Sequence, residues 1–396
     1  MLRPKPQTDM SPRADAEPQL DIPFSVPFVH RLRTTQDVCG EDLPELLSLL
    51  DGGAAGTPKV CLIAEHPVAE SSERVRTLEQ ALDDSHSVNL VAPVLLVDGG
   101  EDVKNDSCCV ETVLGQINRH NLDRRSYLIA IGGGAMLDAV GYAAAIAHRG
   151  IRLIRIPTTT LAQADSGVGV KNAINQFGKK NWVGTFAVPW AVINDAGFLS
   201  SLPDRDFVSG FSEAVKVSLL KSRSEFEWLC ENAAQIRQRE MEIANRAIAV
   251  SCQLHLRHIT EGGDPFEMLE ARPLDFGHWS AHKLEPITGY EIRHGEAVSI
   301  GVAIDCLYSH LKFGFPREDA LRVCDCLSAL GLPLWHEALS PLDRLLGGLE
   351  EFRQHLGGRL TITMLREVGE SFDVHEIDTV VMAEAITMLR GIATED

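Results

Sequence analysis

The stretch Tyr127–Arg149, YLIAIGGGAMLDAVGYAAAIAHR, decides the fold class. It opens with an apolar run of the kind a buried parallel strand requires. Gly132, Gly133 and Gly134 follow, and then an Ala-rich segment of helical composition. A strand that passes through glycines into a helix aims backbone N–H groups and the positive end of the helix dipole at one point, where a pyrophosphate can sit. The GxGxxG spacing of the common dinucleotide fingerprint is absent, so the turn alone reads either as a nucleotide cradle or as a structural turn. Asp138 lies one turn into the helix.

Outward from this stretch the same texture repeats. VCLIAE (Val60–Glu65), VAPVLLV (Val91–Val97), RLIRIP (Arg152–Pro157) and AVIND (Ala191–Asp195) read as strands, and Cys109 to His120 is amphipathic and helical. SVPFVHRLRTT, from Ser25, reads as an edge strand or a hairpin arm. Strands alternating with helices predict an α/β, Rossmann-like domain with a mostly parallel sheet. Its ligand edge, at the carboxyl ends of the strands, carries Gly100, Glu101 and Lys104 after one strand and Thr158, Thr159 and Thr160 after another. Together with the glycine turn, these loops favour a bound nucleotide. Beyond about Pro203 the pattern becomes long amphipathic segments split by Gly and Pro, which predicts an all-α second domain, with one short strand at Leu360–Leu365. The expected organisation is a polar, Pro-rich, disordered extension over 1–22, an α/β domain over 23–205 and a helical domain over 206–396.

The 396 residues carry a formal net charge of −19, which argues against nucleic-acid or membrane-surface partners. Nine cysteines without a CxxC pair fit reduced thiols and a cytoplasmic protein. In so acidic a chain a local basic cluster is informative, and one lies between Arg149 and Lys216.

Three sets of residues carry candidate chemistry. ARPLDFGHWSAHKLEPITGYEIRHGE (Ala271–Glu296) holds His278, His282 and His294. The first two share a helical face, a common way to present two imidazoles to a metal and also a common surface pattern. DSGVGVKNAINQFGKKN reads as a Gly-rich loop with Asp165, Lys171, Lys180 and Asn181. Glu213 and Lys216, three apart at an expected helix start, read as a surface ion pair or as a buried group that needs a partner or a metal. One Glu with two His is a frequent catalytic metal set that leaves coordination positions open.

The blocks IGGGxxxDxxGxxA, HRG, IPTTxLAQxDSxVGxK, GKKN, SEAVK, FGHxxxH and HGEAV occur here in one order and spacing, and the chain resembles the 3-dehydroquinate synthase family of sugar phosphate cyclases from about Phe24 to Asp373. The resemblance implies an NAD-binding α/β domain, a helical metal domain and a site between them. It implies zinc or cobalt on Glu213, His278 and His294. His282, taken from spacing as a metal ligand, becomes a phosphate binder with Lys171, Asn181 and Arg149, the last reaching over from the second subunit of a homodimer. Asp165 and Lys216 hold substrate oxygens. Gly133, Gly134, Asp138, Thr158, Thr159, Glu101, Lys104 and Lys180 bind NAD. The implied reaction is cyclisation of a seven-carbon sugar phosphate with loss of inorganic phosphate, with NAD regenerated in each cycle.

The chain departs from the family where a substrate carboxylate is bound. Asp275 replaces the Asn before the first metal His, Ala271 replaces an Arg that falls one place later as Arg272, and His255 is the nearest match to an upstream Lys. EEFRQHLGG stands where the family has a Lys-bearing DKK block. Losing carboxylate partners is strongly selective. The expected substrate is therefore a heptulose 7-phosphate without that carboxylate, such as sedoheptulose 7-phosphate, as used by the valiolone-type branch. The alternatives are 3-dehydroquinate synthase proper, a metal-dependent alcohol or glycerol dehydrogenase, and a non-catalytic paralogue.

Overall fold

A computed structural model of the chain describes residues 20–53, 56–177, 179–269, 272–355 and 358–395. Most of the expected N-terminal extension, and Ala271, lie outside the described residues.

The first part of the chain is a seven-stranded parallel sheet. Its strands are β1 (Leu32–Thr35), β2 (Lys59–Glu65), β3 (Asn89–Leu90), β4 (Leu95–Val97), β5 (Tyr127–Gly132), β6 (Arg152–Pro157) and β9 (Ala191–Asp195), in the order β1-β9-β6-β5-β2-β3, with β4 also on β2. Ala64 pairs with Ile131 and Ile131 with Ile156 in register. Side chains alternate between the two faces, as strand geometry requires. Cys61, Ile63, Leu128 and Ala130 pack under α4 (Cys108–Arg119) and α5 (Gly134–Ile146). Val60, Leu62, Ile129 and Ile131 face the opposite core, with α1 (Leu43–Leu47), α2 (His66–Ser71) and α3 (Arg74–Asp84) on that side of the chain. Because both faces are covered, the strands read as unbroken apolar runs.

The strand expected over Val91–Val97 shrinks to β4, with β3 just before it. Pro93 has no N–H for a ladder and restrains Ala92. The edge strand near residue 30 is β1, which pairs parallel with β9. The expected Gly-rich loop is largely a hairpin, β7 (Lys171–Gln176) against β8 (Lys179–Phe186). Its apolar alternation is hidden because Asn172 and Asn175 are buried beside Ala173 and Ile174. Their amides are satisfied instead by partners such as the Arg155 guanidinium and the Asn105 side chain.

The second part is helical: α6 (Asp204–Ser209), α7 (Phe211–Lys221), α8 (Arg223–Arg237), α9 (Met241–Glu261), α10 (His278–Ile287), α11 (His294–Phe313), α12 (Arg317–Ala329), α13 (Leu342–His355) and α14 (Thr379–Glu395). The long Pro- and Gly-free stretch is three helices. Ser222 breaks the first from the second by accepting the Glu225 N–H as an N-cap. The strand expected at Leu360–Leu365 is β10 (Ile362–Glu367), and β11 (Glu370–Val374) completes a hairpin with it. Fifteen successive residues of α11, Gly295 to Ser309, are buried, so this helix is the axis of the second core. Among the described residues, no helix is long and apolar enough to cross a membrane.

Candidate active site

Three helix N-termini converge on one point. Glu213 sits in the first turn of α7, His278 opens α10 and His294 opens α11. The placement follows from local sequence. Gly277 adopts φ +77° immediately before His278, and a Cβ there would lie 2.8 Å from the Val302 backbone nitrogen, so only glycine lets α10 start against α11. The buried carboxylate of Asp305 accepts from the Gly277 N–H at 2.9 Å and from the Trp279 indole at 2.8 Å, which fixes the turn to the axis of the helical core. At α11 the Glu296 side chain accepts from the Arg293 N–H at 2.8 Å and forms a bidentate pair with Arg205 of α6.

The ligand atoms of Glu213, His278 and His294 lie within 4.8 Å of one another. His278 Nε2 and His294 Nε2 are 3.5 and 3.8 Å from Glu213 Oε1. Glu213 is fully buried; its Oε2 contacts the Lys216 ammonium, and its Oε1 faces both imidazoles. Burial is the largest influence and opposes its charge, but the Lys216 ammonium and the His278 ring together hold the carboxyl below its ordinary range. Two imidazoles turned to one oxygen of a buried, ionised carboxylate fit a divalent metal such as zinc. Three helix N-termini disfavour a cation, and the surrounding acids Glu213, Asp165, Asp275 and Glu285 offset them.

Around this set, Lys216 contacts Glu213 and lies 3.8 Å from Asp165, whose other oxygen is 2.8 Å from His255 Nε2. His282 completes a triad of rings, 5.3 Å from His278 and 6.0 Å from His294 between centroids. Lys171 pairs with Glu267, which is also 3.7 Å from Arg272. Burial disfavours ionisation of Asp275, yet the charges of Lys171, His278, His282 and Arg272 prevail and hold its carboxyl below the usual range.

The second half of the site lies at the carboxyl edge of the sheet. Gly133 caps α5, and its N–H donates to Glu65 Oε1 at 3.0 Å. A side chain on Gly134 would meet Ser166 Oγ at 2.5 Å. Thr158 is buried next to Gly132, and Thr159 Oγ1 accepts from the Ala162 N–H at 3.1 Å. Lys104 is buried, 2.9 Å from Asp138 and in contact with the Asn181 amide oxygen. Thus Asn181, expected beside Lys171, is grouped with Lys104 and Asp138. Lys180 bridges Glu101 at 3.8 Å and Glu285 at 2.9 Å. Arg149 is exposed on a turn with φ +63°, and among the described residues no contact links it to the other site residues of its own chain. The glycine turn with its hydroxyls and buried Lys–Asp pair at the carboxyl edge of the sheet fits a dinucleotide.

Sequence reasoning passed over three residues. Glu285 follows His282 by three in the same helix; an acid in an otherwise apolar turn was the available signal. Glu65 ends a buried strand as a carboxylate. Arg155, fully buried in β6, holds the Gly167, Gly169 and Lys171 carbonyls and so shapes the backbone that presents Lys171.

The 3-dehydroquinate synthase N-terminal domain model matches residues 94–209, and the C-terminal domain model matches residues 210–350. The 3-dehydroquinate synthase of Caulobacter vibrioides is 34% identical over 264 residues, 65% of this chain and 71% of that protein. Among solved structures, 2-epi-5-epi-valiolone synthase of Streptomyces hygroscopicus subsp. jinggangensis, with NAD+ and Zn2+ bound, superposes with a TM-score of 0.82 at 24% identity, over 94% of this chain and 99% of that one. 2-Deoxy-scyllo-inosose synthase with carbaglucose-6-phosphate, NAD+ and Co2+ gives 0.74 at 22% identity, over 90% and 96%. The two matched domain models together span more than half of the chain, and it belongs to the 3-dehydroquinate synthase family.

Proposed function

We propose that this chain is an NAD- and metal-dependent cyclase, a carbon–oxygen lyase acting on phosphates, that converts a heptulose 7-phosphate without a carboxylate, of the sedoheptulose 7-phosphate kind, to a carbocycle and inorganic phosphate. Glu213, His278 and His294 hold the metal. Gly133, Gly134, Asp138, Thr158, Thr159, Glu101, Lys104 and Lys180 line the cofactor crevice. When bound, the metal supplies Lewis acidity to a substrate hydroxyl, and NAD takes up and returns a hydride within one turnover. Asp165 and Lys216 orient the hydroxyls being oxidised, with His255 fixing the Asp165 carboxylate. Lys171 and His282 bind the departing phosphate, Lys171 exchanging Glu267 for it, Asn181 stays with Lys104 and Asp138 on the cofactor side, and Arg149 serves the site of a second copy in a homodimer.

One observation carries the choice of sugar. Beside the metal set, Asp275 is held ionised and Arg272 is already turned to Glu267. A substrate carboxylate placed there meets the Asp275 charge, with Arg272 drawn to 3.7 Å from the Glu267 carboxylate. Loss of such a charge-assisted pair is worth a few kcal/mol of discrimination. A second reading, 3-dehydroquinate synthase proper, is favoured by the 34% identity to the Caulobacter enzyme. Dehydrogenase chemistry is disfavoured by the Lys171–Asp275–Arg272 surroundings and by Glu213 as the metal carboxylate.

The test is phosphate release from sedoheptulose 7-phosphate and from 3-deoxy-arabino-heptulosonate 7-phosphate, with zinc or cobalt added and NADH followed at the same time. Release from the first sugar without net NADH supports the proposal. Turnover of the second sugar alone overturns it in favour of dehydroquinate synthesis, and net NADH formation overturns it in favour of a dehydrogenase.

A further inference from the structure

The two metal-set histidines are held at their far nitrogens by unlike groups. His278 Nδ1 is hydrogen-bonded to the Phe276 carbonyl oxygen at 3.1 Å, whereas His294 Nδ1 makes an ion-pair contact with Glu285 Oε2 at 3.3 Å, off the line of a hydrogen bond. Both turn Nε2 towards Glu213. Glu285 is 4% exposed. It sits near the end of α10 and reaches sideways to the first residue of α11. Its other oxygen accepts from Lys180 of β8 at 2.9 Å, and Lys180 is 3.8 Å from Glu101. A line of charged contacts therefore runs from the carboxyl edge of the sheet through Lys180 and Glu285 to His294.

A buried carboxylate is costly unless it is paired. This one is paired on both sides, and on one side its partner is an imidazole whose opposite nitrogen faces the metal set. Hydrogen-bonding one ring nitrogen decides which nitrogen keeps its lone pair for a metal and raises the basicity of that ligand. His282, Glu285 and His294 also lie close enough to be read as a separate cation site, but Lys180 already takes one Glu285 oxygen.

We propose that Glu285 is the positioning residue for His294, holding it as the Nδ1–H tautomer with Nε2 directed at the metal, and is not itself a ligand. The proposal rests on the metal reading of Glu213, His278 and His294. His278 needs no such partner because a backbone carbonyl does the same work for it, so the two ligands differ in how strongly they are oriented.

The experiment compares wild type with Glu285→Gln and Glu285→Leu. Zinc affinity is measured by chelator competition at pH 8. The His294 tautomer is read from nitrogen-15 shifts in the metal-free proteins, and metal-free unfolding midpoints report whether each variant folds. We expect one zinc per wild-type chain, an affinity about 10–100-fold weaker in Glu285→Gln, a larger loss in Glu285→Leu, and loss of the Nδ1–H tautomer in Glu285→Leu. Should Glu285→Leu not fold, Glu285→Gln carries the affinity test. Wild type that binds no zinc defeats the metal reading itself. Wild type that binds one zinc, with variants within twofold of it or an unchanged tautomer, overturns the positioning role. Two zinc ions in wild type, falling to one of unaltered affinity in Glu285→Gln, overturns it in favour of a ligand role.

Discussion

Replacing Glu65 by Gln tests the physical description of the cofactor edge without any substrate. The Glu65 carboxyl is 7% exposed at the end of β2. A Cβ on Gly99 or Gly132 would lie about 3 Å from it, so glycine walls leave it room and few partners. Burial pushes its pKa from 4.5 up to about 7, and the Gly133 N–H pulls only partly the other way. A carboxyl whose folded pKa is raised contributes its full stability below the unfolded pKa. That contribution is lost as pH climbs from about 4.5 to about 7, because the unfolded chain ionises first. The interval of 2.5 between those two values corresponds to about 3 kcal/mol at roughly 1.36 kcal/mol per unit. Glutamine still accepts from Gly133 and does not titrate. The assay is urea unfolding of metal- and nucleotide-free wild type and Glu65→Gln at intervals from pH 4.5 to 8. Taking the difference at each pH cancels the other titrating groups. The variant should gain on wild type by about 3 kcal/mol across that range, with most of the change complete by pH 7. A difference that stays flat, or that moves against the variant as pH rises, refutes the account of a desolvated carboxyl at the glycine turn.

Three other substitutions probe the rest of the site. Gly277→Ala forces a side chain into a left-handed turn packed on Val302 and should cost about 1–3 kcal/mol, with weaker zinc binding because His278 moves with the turn; an unchanged unfolding midpoint and zinc affinity would count against the turn's role. Arg155→Met strips three carbonyls and Asn172 of a buried donor and should lower stability by roughly 3 kcal/mol, with KM for the sugar phosphate rising more than kcat falls; steady-state kinetics and calorimetry read both. Glu213→Gln should reduce phosphate release by about 10³-fold or more, and exhaustive chelation of wild type should do the same, reversed by zinc or cobalt; full activity in the chelated protein would exclude the metal set from the reaction.

Phenylalanine and valine counts did not make the α/β half legible; order did. Apolar runs ending in Glu65, Gly132 and Pro157 could only be strands covered on both faces, and the glycines after Tyr127–Ile131 marked where a helix dipole would meet a ligand. The spaced blocks from Ile131 to Val298 identified the family and named Glu213, His278 and His294. These features are local or recur at fixed spacing, so they survive in one dimension. What the chain order concealed depends on partners far apart in sequence. The Lys171–Phe186 hairpin did not read as strands because Asn172 is paid for by Arg155, seventeen residues away. Three helices hid in one unbroken amphipathic stretch because a serine hydroxyl caps the second and Arg239, at φ +61°, turns the chain before the third. Spacing set His278 with His282 as ligands, yet the left-handed Gly277 and the buried Asp305 direct His278 towards Glu213 and His294. Glu285 acquired its meaning only when folding brought Lys180 from β8 and His294 from α11 to its two oxygens. Sequence determined which chemistries were present and the family they belong to; the tertiary structure decided which groups face one another, because the cost of burying a charge is settled by its neighbours in space.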